Sequence, residues 1–328
     1  MRKLSIILPV YNQQKCIEYC IKSLLNQGVN DCAEAIFVDD GSTDDTLSIL
    51  RRYEKLHPTF IKVISKKNGG VSSARNVGIG RAVGEWLLFV DPDDFLAPNT
   101  LSFILDKYNV EDIGIIRFGV KLTEGYGLLN VPISLNDEIH FCGCTKDYVK
   151  TYEITTSFPY LIKRRVLSNI RYDEDLAIFE DLFFVYQLLL QDDIKILRIS
   201  LPGYYYVQTP TSVTNLRTST AYRKRVNAAL TFMEKMIDFR HVYVKDAEIR
   251  QKIEEKNGGV LWGIFANLRR INNLSIREIG EFRSRYNNLR RKTSYTKSLR
   301  TAFLTSLMLL PPPLIRCILA ICNKVVSK

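Results

Sequence analysis

Short apolar runs alternate with stretches of helical periodicity in the first 95 residues of this 328-residue chain. The runs are too short for helices and are bounded by turn-forming residues, so they predict buried strands. Strands are predicted at residues 4–10, 35–38, 61–65 and 86–90, and helices at residues 17–27, about 44–53 and 72–83. Four strands alternating with helices predict an α/β fold with a mostly parallel central sheet.

Polar residues follow each of the four predicted strands directly. They are Tyr11 and Asn12 after the first strand, Asp39 and Asp40 after the second, Lys67 and Asn68 after the third, and Asp91 and Asp93 after the fourth. The carboxyl ends of parallel strands lie along one edge of a sheet, where ligands bind in open α/β folds. We therefore expect these side chains to converge on one ligand.

The densest group of acids follows the fourth strand, in the sequence DPDDFL. Asp91, Asp93 and Asp94 lie together at the end of a strand that is predicted to be buried and rigid. Oxygen ligands with this spacing suit a divalent cation such as Mg²⁺ or Mn²⁺. The alternative is a solvated acidic turn with an aspartate cap before a helix at residues 97–105.

A glycine-rich stretch suggests a different cofactor but does not fit it. Gly78, Gly80 and Gly84 resemble the dinucleotide-binding fingerprint, but their spacing differs by one residue and they precede a strand instead of following one. We interpret them as the end of the third helix and the turn into the next strand. The sequence contains no GxxxxGK[ST], which excludes a P-loop, and no His or Cys is placed as a triad base or nucleophile.

The second half of the chain is less regular and then becomes helical. Strands are predicted at residues 113–119, 155–162, 194–199 and 204–207, with an irregular segment at residues 123–136. Glu180 and Asp181 precede a strongly apolar helix, where a simple capping role is the alternative to a chemical one. From about residue 221 the pattern is helical, so we expect one α/β domain at residues 1–220 and a helical region at residues 221–328.

The net charge of +11 lies in the helical region. Residues 1–225 hold 27 basic and 27 acidic side chains, whereas residues 226–328 hold 19 basic and 8 acidic ones. No acid follows Glu281, but ten Lys and Arg residues do. A basic region of this kind suits an anionic lipid surface or a nucleic acid. We favour the lipid surface and predict no nucleic-acid partner.

The C-terminal segment combines basic and apolar residues. Seven Lys and Arg residues lie at 283–300, and the apolar sequence that follows is interrupted by three prolines at 311–313. Its longest uncharged run, residues 301–315, has 15 residues, fewer than the roughly 20 that a membrane-spanning helix needs. The pattern of residues 283–328 therefore predicts one of two arrangements. Either the segment attaches peripherally to an anionic leaflet, or it forms a helical hairpin that packs on the first domain or in an oligomer interface.

The cysteines indicate a reducing compartment. There are seven, an odd number, and the first predicted strand begins by Leu4, so we expect no signal peptide and a cytoplasmic protein with free thiols. Cys16 with Cys20, and Cys142 with Cys144, could form metal-binding pairs, but no second pair or histidine cluster completes a zinc site.

Five motifs together resemble those of the family 2 glycosyltransferases, which have the GT-A fold. They are PVYN at 9–12, FVDDGSTDDT at 37–46, NGGVSSARNVGI at 68–79, FVDPDDFL at 89–96 and FEDLFF at 179–184. The resemblance covers residues 3–216, and its specificity comes from the joint occurrence of the motifs. It implies a Rossmann-like catalytic domain that transfers a sugar from a nucleotide-diphosphate donor, a UDP-sugar above all, to an acceptor hydroxyl with inversion.

The resemblance also implies roles for individual residues. Donor binding is implied for Pro9, Tyr11, Asp40, Asn68, Arg75, Asp91 and Ser212, with Asp40 at the base and Ser212 in a loop over the phosphates. Asp93 with Asp91 would hold Mn²⁺ or Mg²⁺, Asp181 would be the catalytic base, and Glu180 its neighbour. These two acidic sites match the chemistry, because the diphosphate leaves with negative charge while the acceptor hydroxyl loses a proton on the opposite face.

The resemblance leaves the acceptor open. A glycan, a polyol-phosphate and a lipid-linked acceptor in cell-surface polymer synthesis all fit, and the missing QxxRW motif argues against a processive synthase. We expect a cytoplasmic protein, with attachment to the inner face of the plasma membrane if the C-terminal segment binds lipid. The alternative function is a non-catalytic protein that binds a sugar nucleotide or acts as a scaffold on the same fold.

Overall fold

The computed structural model describes residues 3–108, 111–134, 137–152, 154, 159–208, 217–271, 273–291 and 306–326. The chain divides into two compact units, Met1–Pro210 and Thr211–Lys328. The domain boundary that the sequence predicts after residue 220 lies near this division and stays a prediction.

The first unit contains the strands and seven of the helices among the described residues. Its strands are β1 (Leu4–Val10), β2 (Ala33–Asp39), β3 (Ile61–Ser65), β4 (Trp86–Phe89), β5 (Phe95–Leu96), β6 (Ile113–Arg117), β7 (Val120–Thr123), β8 (Ile139–Cys144), β9 (Tyr160–Lys163), β10 (Lys195–Ile199) and β11 (Tyr204–Val207). Its helices are α1 (Ile17–Leu25), α2 (Thr46–Leu56), α3 (Val71–Arg81), α4 (Thr100–Tyr108), α5 (Thr145–Thr151), α6 (Arg164–Leu167) and α7 (Glu180–Leu189).

The described strands form one large sheet and one small sheet. The large sheet has eight strands in the order β3-β2-β1-β4-β9-β6-β10-β8, and β9 and β8 run antiparallel to their neighbours. The small sheet has the order β5-β11-β7. The central sheet is therefore mostly parallel, as the alternating pattern predicts.

The core lies on both faces of the central strands. β1 and β2 are buried along their whole length and pair from Leu4 with Ala33 to Val10 with Asp39. Strands that are covered on both faces appear as continuous apolar runs without alternation, which explains the sequence LSIILPV. Since β1 pairs with β2 on one side and β4 on the other, the carboxyl ends of these three strands lie side by side.

Some local predictions were wrong. The helix expected at residues 97–105 begins only at Thr100, because Phe95 and Leu96 pair with β11 as strand β5. Strand β8 was not predicted, since it lies at the sheet edge with exposed or half-buried residues and so lacks an apolar run. Of the strand expected at residues 155–162, residues 155–158 lie outside the described part of the chain and β9 begins at Tyr160.

The second unit is helical in its described residues. Its helices are α8 (Ser219–Tyr243), α9 (Ala247–Leu268), α10 (Ile276–Arg291) and α11 (Pro312–Val326). The side chains of Thr218 and Asp246 cap the N-termini of α8 and α9 by accepting backbone N–H groups. None of the helices in the described part of the chain combines the length and the apolar character that crossing a membrane requires.

Two glycines of the predicted helix end and turn are required by close packing. A Cβ at Gly78 would lie 2.3 Å from the Cγ2 atom of Ile7, and one at Gly84 would lie 2.4 Å from the backbone nitrogen of Ser5. Gly84 also donates its N–H to the Ser5 hydroxyl. The glycines therefore let α3 and the following turn approach β1 closely, Gly78 at Ile7 and Gly84 at Ser5 near the start of the strand.

We predict that Gly84→Ala destabilises the chain, whereas Gly80→Ala does not. The new Cβ at position 84 would meet backbone that cannot move aside, at a cost of about 1–3 kcal/mol in the free energy of unfolding. Gly80 is the matched control, because it lies in the same segment with no atom within 4 Å of its added Cβ. Urea unfolding of both variants checks this, and equal stability would contradict the packing argument.

Candidate active site

The acidic turn after β4 is held by a tyrosine of the small sheet. The buried carboxylate of Asp94 accepts hydrogen bonds from the Tyr204 hydroxyl at 2.7 Å and from the backbone N–H of Val207 at 2.8 Å. The same hydroxyl accepts the backbone N–H of Asp91 at 3.2 Å. Asp94 therefore fixes the turn to β11, and it leaves Asp91 and Asp93 as the acids available to a ligand.

Negative charge accumulates at this turn. Burial and the nearby Asp91 carboxylate raise the pKa of Asp93 to about 6. The same two causes, burial first, raise the pKa of Asp94 above its usual range. The Tyr126 hydroxyl fixes the backbone here by donating to the carbonyl oxygen of Asp93 at 2.8 Å. Both shifts follow from burial together with the crowding of carboxylates at one turn.

A buried arginine joins the acidic turn to the start of helix α7. Arg75, on α3, is 3% exposed and donates to Asp91 at 3.0 Å and to Glu180 at 2.9 Å. Its guanidinium also lies over the Tyr172 ring, 4.9 Å from the centroid. Burial lowers the pKa of Arg75, but Tyr172, Asp91 and Glu180 together outweigh this and raise it above its ordinary value. Two acidic motifs that are distant in sequence are thus brought together around one cation.

Glu180 and Asp181 form the first turn of α7. Burial raises the pKa of Glu180, and Arg75 opposes this while Asp181 adds to it. Asp181 is half-buried and accepts the backbone N–H of Leu182. The residue before them, Phe179, has a left-handed backbone with φ of 70°. A bulky residue adopts this conformation only when the surroundings impose it, so the direction of both acids is set by tertiary packing.

A cluster of aromatic rings packs against the N-terminal part of helix α7. Tyr172 stacks on Phe184 with ring centroids 3.9 Å apart, and Phe89 packs edge-on against both rings. Phe89 is the last residue of β4, and Phe184 lies on α7. The cluster therefore places the N-terminus of α7 beside the end of the strand that carries the acidic turn.

The loops after β1, β2 and β3 form a second group along the same sheet edge. Asp40 is buried, and its carboxylate accepts from the Lys66 ammonium at 2.5 Å and from the N–H groups of Gly69 and Gly70. Asn68 donates to the Asp40 carbonyl oxygen at 2.9 Å. These bonds leave the carboxylate of Asp40 mostly occupied within the protein, so it orders the loop after β3.

The remaining predicted donor residues differ in exposure. Tyr11 is 46% exposed at the end of β1, whereas Pro9 is buried inside that strand. Asn68 is exposed. Ser212 lies outside the described residues. The structure therefore brings the described candidates to one edge, in two groups: Tyr11, Asp40 and Asn68 at one end, and Asp91, Asp93, Arg75, Glu180 and Asp181 at the other.

Tyr126, Tyr172 and Tyr204 position these acids but were not found from the sequence. Tyr204 and Tyr172 are each 2% exposed or less. The Tyr204 hydroxyl bonds to Asp94, whereas the Tyr172 hydroxyl has no hydrogen-bond partner among the described residues and Tyr172 acts through its ring. A buried tyrosine usually has a hydrogen-bond partner, so burial can point to a positioning role. The sequence alone does not show which tyrosines are buried. The sequence YYYV predicts a strand at residues 204–207, but it gives no indication that Tyr204 bonds to the acidic turn.

The carboxylates of Asp91 and Asp93 suit a divalent cation that is also coordinated by the phosphates of a bound ligand. Among the described residues, no three His, Cys, Asp or Glu side chains are grouped as a complete metal site. Mg²⁺ in phosphate-binding sites is held by one or two carboxylates together with the phosphates, so Asp93 and Asp91 are sufficient protein ligands. The raised pKa of Asp93 fits this interpretation, because an added cation would relieve the accumulated negative charge.

Residues 5–148 match the sequence model of "Glycosyl transferase family 2". This part of the chain is therefore similar to glycosyltransferase family 2. Among curated relatives, the minor teichoic acid biosynthesis protein GgaB of Bacillus subtilis is 29% identical over 71% of this chain and 26% of its own length. The poly(ribitol-phosphate) β-N-acetylglucosaminyltransferase TarS of Staphylococcus aureus is 32% identical over 63% of this chain and 35% of its own.

Solved structures show that the fold is GT-A. Residues 1–349 of S. aureus TarS in complex with UDP-GlcNAc superpose with a TM-score of 0.54 at 22% identity, covering 88% of this chain and 89% of that one. The mannosyltransferase PcManGT of Pyrobaculum calidifontis, in complex with GDP-Man and Mn²⁺, has a TM-score of 0.58 at 15% identity, over 99% and 87% of the two chains. The chain spans about a quarter to a third of the length of the two curated relatives.

We predict that Arg75→Gln destabilises the first unit strongly. Removing the guanidinium leaves the carboxylates of Asp91 and Glu180 close together without a cation, which costs about 3 kcal/mol in the free energy of unfolding. Arg81→Gln is the control, since Arg81 is exposed at the end of the same helix and its loss is expected to change stability by less than about 0.5 kcal/mol. Chemical unfolding of both variants measures the difference, and a small effect at position 75 would contradict the bridging role.

We also predict a pH-dependent stability that originates at Asp93. Its folded-state pKa of about 6 exceeds the usual aspartate value, so the folded state binds more protons and loses stability as the pH rises from about 4 to about 6. Asp93→Asn should lack this loss and become more stable relative to the unchanged chain as the pH rises. Unfolding is measured with a chelator present.

The control for the pH prediction is Asp106→Asn, which removes an exposed acid of helix α4. Unfolding of this variant over the same pH range gives the baseline for the comparison. If the stability difference between Asp93→Asn and the unchanged chain follows that baseline, Asp93 does not titrate as inferred.

Proposed function

We propose that the chain is an inverting glycosyltransferase that moves a sugar from a nucleotide-diphosphate donor to a hydroxyl group. The observation that carries this proposal is the Arg75 bridge between Asp91 of the acidic turn and Glu180 at the start of α7. It brings the acids suited to the donor phosphates and the acids suited to the acceptor to one location. A single-displacement reaction needs both at the same sugar carbon.

Asp181 is proposed as the general base. The attacking hydroxyl must lose its proton as the new glycosidic bond forms, and a carboxylate in hydrogen-bond reach of it accelerates this step by typically about 10²–10⁴-fold. Glu180 is the less suitable base, because its carboxylate is bonded to Arg75. Arg75 holds Glu180 and Asp91 in position, and α7 begins directly after the left-handed backbone of Phe179.

Donor binding is proposed at the loops after β1 to β4. Tyr11 presents an exposed ring for the base, and Asp40 and Asn68 order the adjacent loop. Asp93 and Asp91 would hold Mn²⁺ or Mg²⁺ against the diphosphate. A bound divalent cation supplies electrostatic stabilisation of the diphosphate leaving group. A UDP-sugar is the donor we favour, since the TarS structure contains UDP-GlcNAc.

The acceptor is proposed to be a hydroxyl of a cell-surface polymer or its precursor. GgaB is described as a teichoic acid biosynthesis protein and TarS as acting on poly(ribitol-phosphate), so these relatives favour the polyol-phosphate among the three acceptor classes that the sequence leaves open. A cytoplasmic location with attachment to the inner membrane face, and any oligomer, stay predictions.

We predict that Asp181→Asn retains donor binding but loses turnover. The amide preserves the size of the side chain but cannot take the acceptor proton, so the transfer rate is expected to fall about 10²–10⁴-fold. Transfer is measured with a panel of nucleotide sugars and Mn²⁺, and binding of UDP with Mn²⁺ is measured by calorimetry.

Asp106→Asn is the matched control and should bind and react like the unchanged chain. Undiminished transfer in Asp181→Asn would remove the base assignment. Binding of UDP without any transfer or hydrolysis across the panel would instead support the non-catalytic, sugar-nucleotide-binding alternative.

A further inference from the structure

We propose that one face of helix α10 binds the phosphate group of an anionic lipid. The described residues that line a cavity of about 500 Å³ on this helix are Gly280, Arg283, Ser284, Arg285, Asn287, Asn288 and Arg291. They recur three and four positions apart, so they share one side of the helix. This site goes beyond the proposed sugar transfer, and neither depends on the other.

The arginines of α10 differ in how their charge is balanced. Arg277 pairs with Glu281 at 3.0 Å, and Arg285 pairs with Glu234 at 2.7 Å. Within the described part of the chain, neither Arg283 nor Arg291 has a carboxylate at ion-pair distance. Arg283 donates to the backbone carbonyl oxygen of Met308 at 3.1 Å, which orients its guanidinium without neutralising it. The cavity therefore carries uncompensated positive charge.

The other polar lining residues complete a set of phosphate ligands. Ser284 and Asn288 are exposed beside the two arginines. Hydroxyl and amide groups can donate to phosphate oxygens, and a guanidinium can donate two parallel N–H groups to them. A phosphate at this face would thus find charge and directional donors together.

Exposed leucines beside the cavity favour a lipid as the source of the phosphate. Arg283 contacts the backbone of Met308, and the next residue, Leu309, is 56% exposed. Leu314, near the start of α11, is 52% exposed, and α11 packs against α10. Surfaces that attach to the boundary between headgroups and acyl chains combine basic residues with apolar ones in this way. A soluble phosphate compound would leave the leucines in water.

A second copy of the chain is a poorer occupant of this face. A symmetric dimer places the same patch of both copies in contact, so Arg283 and Arg291 of one copy would meet those of the other. No acid follows Glu281 in the sequence, and the described acids of α10 are already paired with arginines. Like charges facing each other oppose such a contact.

The test is co-sedimentation of the full chain with vesicles. We expect binding to vesicles that contain phosphatidylglycerol, little binding to pure phosphatidylcholine, and weaker binding at higher salt. Arg291→Gln should weaken binding to the anionic vesicles about five-fold. Arg277→Gln is the matched control, because it removes the same charge from the same helix outside the cavity and should have a much smaller effect.

Two further variants test the contribution of exposed apolar side chains to vesicle binding. Leu314→Gln should weaken vesicle binding, whereas Val242→Gln, which alters a residue of α8 that is 65% exposed, should not. Circular dichroism of each variant confirms that it is folded.

Several results would overturn the proposal. They are equal losses in Arg291→Gln and Arg277→Gln, equal binding to neutral and anionic vesicles, stabilisation by inorganic phosphate without vesicle binding, or a dimer in solution that Leu314→Gln dissociates. UDP binding by the same variants is measured in parallel. Because these variants lie outside the proposed donor site, UDP binding that is unchanged while vesicle binding fails rejects the lipid site without rejecting the proposed reaction.

Discussion

The arrangement of the candidate site depends on one buried cation. Arg75 is surrounded by Asp91, Glu180 and the face of Tyr172, and it is withdrawn from water. Burying a guanidinium is costly, and the cost is offset only when carboxylates with good geometry meet it. The converse also holds, because the acids of two motifs can approach one another only with this positive charge between them. The ion bridge therefore fixes the distance between the acidic turn and helix α7.

The scaffold around this bridge is built from ordinary packing. Continuous apolar strands bring the ends of β1, β2 and β4 together, and close contacts at Gly78 and Gly84 hold α3 and its following turn against β1. α3 carries Arg75, so the position of the cation is set by glycines that have no chemical role. The charged site is thus oriented by close packing of strands and glycines that do not themselves belong to it.

The sequence predicts the first half of the fold well, because its strands are buried on both faces and appear as apolar runs. It predicts β8 and the start of α4 poorly, since β8 is an exposed edge and Phe95 and Leu96 join a sheet through residues far along the chain. The acids of the site were found because they lie in recognisable motifs. The Arg75 bridge and the three tyrosines were not, because their contacts join residues that are far apart in sequence and depend on tertiary packing.

The hydroxyl of Tyr204 has a consequence for how a ligand would be received. It bonds to the carboxylate of Asp94 and to the backbone of Asp91 at once, and it belongs to a strand of the small sheet. A shift of the acidic turn would therefore have to displace strand β11 as well. The turn is preorganised: its oxygen atoms are already ordered before any ion or phosphate arrives, so little conformational entropy remains to be lost when one binds.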